Sequence, residues 1–298
     1  MANARTLHKR WLPFAFLGPY LLLAGAFFVY PFINALILTF YQTNGPRSRA
    51  FVGLGNFEYL LRDSTFHRAL WNTTVFAIAS VCLQLPLSMG LALLLNQGNS
   101  KLKGLFRLVL FSPNLVGQIF IGILFSVLFT PRYGLINRFV QSLLNWGLEE
   151  RWLNNPTLVM PAIILTSLWL WVGFNMVYFL AALQSVDSSL EEAARIDGAN
   201  VWQVFWHVTL PSMRHVVVFV VITSIIGSYQ LFELPVALLA NTNGFGPENS
   251  GLTVITYLNQ VAFRSGDLGL GSAVGAIVSA IIFIISLIQI RLTNVVED

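Results

Sequence analysis

Six windows of almost unbroken apolar sequence constrain this chain more than any other feature. They fall near residues 14–40, 72–95, 105–129, 158–183, 216–240 and 271–291. A helix rises 1.5 Å per residue, so about 20 residues cross the ~30 Å hydrocarbon core of a bilayer. Lipid offers no partner to a bare backbone, so each isolated span has to be helical. Composition agrees: only 10% of the 298 residues are charged, against about 25% in a soluble domain. The predicted fold class is an all-α membrane protein with six transmembrane helices.

The first window follows Arg5, Lys9 and Arg10. It is too long for a signal-peptide core and no small-residue cleavage site follows it, so it reads as an uncleaved span. The single cysteine, Cys82, lies inside the second window, which excludes a disulfide or zinc framework. Net charge +4 is scattered over short loops, an arrangement that argues against a nucleic-acid partner. If both termini are cytoplasmic, nine of the 17 Lys and Arg face inward, with all three lysines (Lys9, Lys101, Lys103) among them. The inward charges crowd into the shorter segments, and charges close to the spans weigh most in orientation.

Chemistry-bearing residues are sparse. His8, His67, His207 and His215 all fall at or outside span ends, and no phosphate-binding loop, metal-ligand cluster or nucleophile–base pair occurs. The chain therefore reads as neither an enzyme nor a cofactor or metal carrier, and any ATP use has to come from another subunit. Asn72-Thr73-Thr74 spells a glycosylation sequon, but its place at the start of a span marks it as accidental.

Between the fourth and fifth windows lies a polar island, 184–214, with its own start and stop signals. Ser188 and Ser189 each precede a glutamate by three residues (Glu191, Glu192), the capping-box spacing that opens a helix. Gly198 supplies the positive φ of a left-handed cap, Asn200 is an acceptable N-cap for a second helix, and that helix is expected to stop before Pro211. Trp202, Phe205 and Trp206 stand at i, i+3 and i+4, which gives the second helix an aromatic face that needs a partner.

These residues carry a resemblance. Glu192-Ala193-Ala194, Gly198 and Val208-Thr209-Leu210-Pro211 reproduce the spacing E-A-A-x3-G-x9-I-x-L-P, with valine in place of isoleucine. That pattern resembles the EAA loop of permease subunits in binding-protein-dependent ABC importers. Phe51-Val52-Gly53-Leu54-Gly55-Asn56-Phe57 and Gly134-Leu135-Ile136-Asn137 are similar to segments of the maltose/glycerol-phosphate branch. Asn243-Gly244-Phe245-Gly246-Pro247 resembles its T-x-G-G-P turn, with Phe245 interrupting the glycine pair.

The resemblance implies a type I importer permease in the bacterial inner membrane, both termini cytoplasmic. It further implies pairing with a second related permease, two ATP-binding subunits and an external solute-binding protein, in contact with membrane lipid and a carbohydrate-like solute. Glu192, Ala193, Ala194, Asp197, Gly198, Trp202, Phe205, Leu210 and Pro211 would then dock on the ATPase. The division would be 1–70 for tail, first span and outer segment, 71–292 for the transport core with its 184–214 loop, and 293–298 for the C-terminal tail.

Polar residues inside the windows are the candidates for the solute pathway. Glu233 is a carboxylate within the fifth window, next to Pro235, where a mid-helix charge costs about 2.5–3.5 kcal/mol on insertion scales. Tyr229 and Gln230 precede it. In the fourth window Trp169, Trp171, Gly173, Asn175 and Met176 combine aromatic faces, an amide and a small residue. Sugars need both kinds of surface, although glycine and asparagine also serve plain helix packing. A permease for a non-sugar solute stays open on this reading. So does a secondary transporter, although such proteins usually show repeated halves and these are not visible here.

Overall fold

The computed structural model describes residues 12–45, 48–96, 102–144 and 151–293. Arg5, His8, Lys9, Arg10 and Lys101 lie outside the described residues, as does 294–298 of the C-terminal tail. Among the described residues four helices are long and apolar enough to cross a membrane: Phe16–Leu38, Ser64–Asn96, Pro156–Ser185 and Leu268–Arg291. Two further candidates are bent pairs, Lys103–Leu115 with Gln118–Leu128 at 97° and Val201–Ser212 with Arg214–Tyr229 at 76°. Counting each bent pair once gives six.

Two windows expected as single helices are therefore broken. In the third, a 3-10 turn over Ser112–Leu115 contains Pro113, and Val116 is extended at ψ 132° before the next helix starts at Gln118. In the fifth, the helix Arg214–Tyr229 ends and a short one, Glu233–Leu238, begins after Phe232 at φ −138° and ψ −58°. The Pro235 ring would clash with the Leu231 carbonyl in a continuous helix. That carbonyl has turned away and accepts the Thr253 hydroxyl at 2.7 Å. Glu233 consequently opens a short helix, and is not the mid-helix carboxylate that the sequence suggested.

Three other prolines are absorbed without a break. Five-residue π turns, Gly25–Val29, Ser80–Gln84 and Phe205–Thr209, each end two residues before a proline: Pro31, Pro86 and Pro211. In each, the next N–H (Tyr30, Leu85, Leu210) bonds to a carbonyl five residues back, and the wider turn makes room for the ring. The helix after Asn200 therefore runs through Pro211 to Ser212 instead of stopping before it.

The chain divides into two compact units, each described by itself. One comprises residues up to 62 with 258–276. Here the segment after the first span folds as a small cap: Tyr41–Thr43 pairs antiparallel with Arg49–Phe51, and the Asn56 amide donates to Thr39 O at 2.8 Å and Tyr41 O at 2.9 Å. Gly271 meets Ala262 so closely that a Cβ would come within 2.5 Å of it, as a small-residue packing stripe requires.

The other unit, 63–257 with the remainder from 277, is built around apolar cores, two of which are formed by described residues. Phe129, Trp152, Ile163, Leu170 and Leu234 anchor one; Leu85, Met176, Phe179, Leu183 and Val220 anchor the other. The sequon residues have structural work within it. Asn72 is buried and donates to Asn249 O at 2.8 Å and Leu252 O at 3.0 Å, while Thr73 Oγ1 accepts from Val254 N–H at 2.9 Å. They pin the segment after the fifth span to the second.

Gly173 sits where the helix Lys103–Phe111 crosses the fourth span. A Cβ there would lie 1.7 Å from Leu110 O, whereas one at Gly90 meets nothing within 4 Å. Gly173→Ala should therefore destabilise the bundle by about 1–3 kcal/mol, and Gly90→Ala should leave it unchanged. Thermal denaturation of the purified membrane protein checks the pair.

Candidate functional site

Two features stand out: an exposed helical hairpin and a polar cavity among the spans. The hairpin starts at Asp187, whose carboxylate accepts the Ser189 N–H at 2.9 Å. Asp187 is therefore the N-cap in place of Ser188 or Ser189, and the capping boxes expected there do not form. Glu191 is turned instead to the Thr209 hydroxyl at 2.8 Å and lies 3.7 Å from Arg195. That bond clasps the two arms of the hairpin together across 18 residues.

The turn between the arms is built as its sequence requires. Gly198 has φ +86°, and the N–H groups of Gly198 and Ala199 bond to Arg195 O at 3.1 Å and Ala194 O at 3.0 Å. Asn200 then makes a full capping box with Gln203, 2.8 Å one way and 3.0 Å the other. Val204, Thr209 and Met213 are buried and root the second arm. Glu192, Ala193, Asp197 and Pro211 are exposed, Ala194, Phe205 and Leu210 half-buried. Trp202 is 72% and Trp206 57% exposed, and Leu190, Ile196 and Val201 are also uncovered. These exposed apolar side chains are rimmed by the charged residues Glu192, Arg195 and Asp197.

The cavity has a volume of about 280 Å³. Three of its four walls use one of the helix irregularities described above. The π turn in the second span contributes Ser80 and Gln84, and the helix that starts after the break in the third contributes Gln118. The fourth span adds Ser167, Trp171, Phe174 and Asn175. The fifth adds Thr223, Ser224, Ser228 and Gln230 around the end of its first helix. Ser167 donates toward Gln84 Oε1 at 3.5 Å.

The structure sorts the pathway candidates by helix face. Trp171, Asn175 and Gln230 line the cavity. Trp169 and Gly173 face a separate apolar groove together with Leu110, and Trp169 packs on Phe125 with ring centroids 5.5 Å apart. Met176 is fully buried in the core. Tyr229 is buried with its hydroxyl 3.2 Å from that of Thr74. Glu233 is exposed and is not among the residues lining the cavity. Gln84 and Gln118 went unnoticed in the sequence. Gln84 carried the signal, an amide inside an apolar window two residues before a proline, the same rule that singled out Glu233.

Comparison with known proteins follows the same lines. Residues 84–294 match the family described as binding-protein-dependent transport system inner membrane component. The chain is 36% identical over 287 residues to the arabinooligosaccharides transport system permease protein AraP of Bacillus subtilis (strain 168), covering 96% of this chain and 90% of that one. It is 35% identical over 254 residues to the lactose transport system permease protein LacF of Rhizobium radiobacter, covering 85% and 83%. Its fold matches, at TM-score 0.83 and 21% identity over 97% of both chains, a bacterial ABC transporter involved in the import of the acidic polysaccharide alginate. The same fold, at TM-score 0.82, 21% identity and coverage of 96% and 94%, occurs in an alginate transporter in complex with its alginate pentasaccharide-bound periplasmic protein.

The Ser189 backbone N–H, and then its hydroxyl, hold the Asp187 carboxyl below the usual carboxylate range. A depressed folded-state pKa adds stability that is present above the unfolded value and lost as pH falls through the folded one. The first turn of the hairpin should accordingly fray in acid below the ordinary carboxylate range. Asp187→Asn, which keeps the acceptor without the charge, should abolish that pH dependence. Amide exchange over 188–191 as a function of pH checks both.

Proposed function

We propose, from the premise that the chain belongs to the family of binding-protein-dependent transport system inner membrane components, that it is the permease subunit of an ABC importer moving a carbohydrate or polyol-like solute inward. The observation that carries this reading is a mechanical one. The second arm of the hairpin, Val201–Ser212, runs through a 76° bend at Met213 directly into Arg214–Tyr229, whose far end lines the polar cavity. A partner that grips the hairpin thereby holds a lever on the cavity wall.

The partner at the hairpin is an ATP-binding subunit, one of two, that hydrolyses ATP while this chain does no chemistry of its own. Glu192 is exposed and free to meet a basic residue there, and Trp202 supplies the apolar anchor. Closure of the ATPases shifts the hairpin, the fifth span follows, and the cavity exchanges its outward opening for an inward one. A second, related permease completes the pathway, and an external binding protein delivers solute. Both termini and the 184–214 loop lie in the cytoplasm, and 71–292 forms the transport core. The names of the arabinooligosaccharide and lactose permeases and the mix of hydroxyls, amides and aromatic faces in the cavity support a sugar as cargo.

Coupling can be broken without unfolding the spans. Gly198→Pro destroys the left-handed turn and Glu192→Lys reverses the docking charge. Each is expected to cut ATP-driven uptake at least tenfold while the chain still inserts; wild-type uptake at wild-type expression would overturn the assignment. Orientation is checked with single cysteines in a Cys82→Ser background. A cysteine at Ile196, 86% exposed, should resist membrane-impermeant thiol reagent added to intact cells, and one at Tyr133, 77% exposed, should react. Asn137, in the same outer segment, is unsuitable because it is buried under Trp152 Nε1.

A further inference from the structure

We propose that the cavity surface contributed by this chain admits an uncharged, polyhydroxylated ring and excludes anionic sugars, with Gln84 and Asn175 as the residues that read solute hydroxyls. The inference rests on the import reading above and narrows its substrate class. None of the 14 described residues lining the cavity is titratable. The nearby carboxylate in sequence, Glu233, stands outside the lining. An anion entering such a space loses its water and meets no cationic side chain, a loss that half a charge at one helix end does not offset and that a neutral hydroxyl does not suffer.

Two amides are poised for hydroxyls. Asn175 is 6% exposed and Gln84 5% exposed, and both line the cavity. Among the described residues Asn175 has no side-chain partner. Gln84 has only Ser167, on its Oε1, which leaves the Gln84 Nε2 donors unmet. Buried amides are rarely left so unless a ligand or water completes them. An amide offers both a donor and an acceptor, as a sugar hydroxyl does.

The broken helices point the same way. The helix Gln118–Leu128 brings an N-terminus without a side-chain cap to the cavity, and the helix Arg214–Tyr229 brings its C-terminal end. Their partial charges, about half an electron each, are opposite in sign. Together they give a donor side and an acceptor side with no net charge, which suits a solute whose hydroxyls do both. Trp171 and Phe174, edge to face at 5.5 Å, supply apolar surface for ring C–H groups.

The test uses the purified complex of this chain with its partner permease and ATPase subunits, without the binding protein, so that the external protein's own selectivity is removed. Neutral trimers of pentoses and hexoses are compared with uronate trimers of equal length. Binding is followed by fluorescence quenching, with Trp171→Phe identifying the cavity signal. At least one neutral trimer should bind saturably and every uronate should bind at least tenfold more weakly. Gln84→Leu and Asn175→Leu should each weaken neutral binding about three- to tenfold, the effect of one lost hydrogen bond. A uronate bound as tightly as its neutral counterpart overturns the inference while leaving the import reading intact. So does wild-type neutral binding by both variants. Failure of every saccharide, neutral or charged, to bind would instead overturn the carbohydrate reading itself.

Discussion

The architecture depends on one constraint: every backbone group freed inside the bilayer needs a partner from the protein, since lipid provides none. This chain frees several on purpose. Pro235 forces the Leu231 carbonyl out of its helical bond, and the buried Thr253 hydroxyl takes it up at 2.7 Å. The irregular segment that carries Thr253 is itself held by Asn72 and Thr73, side chains whose hydrogen bonds go to its backbone. Breaking a span is possible here because a neighbouring span supplies the missing partners.

The irregularities account for the cavity. A straight helix packed on straight helices buries its faces and leaves little space. In this bundle the π turn at Ser80–Gln84, the break before Gln118 and the end of the fifth helix at Tyr229 all meet at one place. Each contributes polar groups to the lining: Ser80 and Gln84, Gln118, and Ser228 with Gln230. Proline chemistry thus does two jobs with one residue type: beside a π turn it is absorbed, and beside a free carbonyl it opens the helix.

The same logic links cavity to hairpin. The π turn at Phe205–Thr209 lets the helix pass Pro211, so the second arm stays one rigid piece up to Met213. Thr209, inside that turn, is the residue that Glu191 clasps. The motif spacing that looks like a list of conserved-type letters is therefore one mechanical unit. Gly198 makes the corner, Glu191 and Thr209 tie the arms, and the bend at Met213 joins the second arm to the fifth span.

By itself the sequence determined that this chain lives in a membrane, roughly where its six apolar windows lie, and that a capped helical hairpin separates the fourth from the fifth. Those conclusions follow from local quantities: hydrocarbon thickness against helix rise, a glycine that alone tolerates positive φ, an asparagine suited to cap the second arm. Even there a short-range competition escaped it, because Asp187 offers a stronger acceptor than Ser188 or Ser189 and Glu191 was needed elsewhere. Which side of a span faces the cavity only the tertiary structure decided. The fourth span is apolar all round, so its sequence carries no stripe to distinguish Trp171 and Asn175, which line the cavity, from Trp169 and Gly173, which do not. Packing of Gly173 against Leu110 and the approach of Ser167 to Gln84 accompany those faces, and both are contacts between residues far apart in the chain.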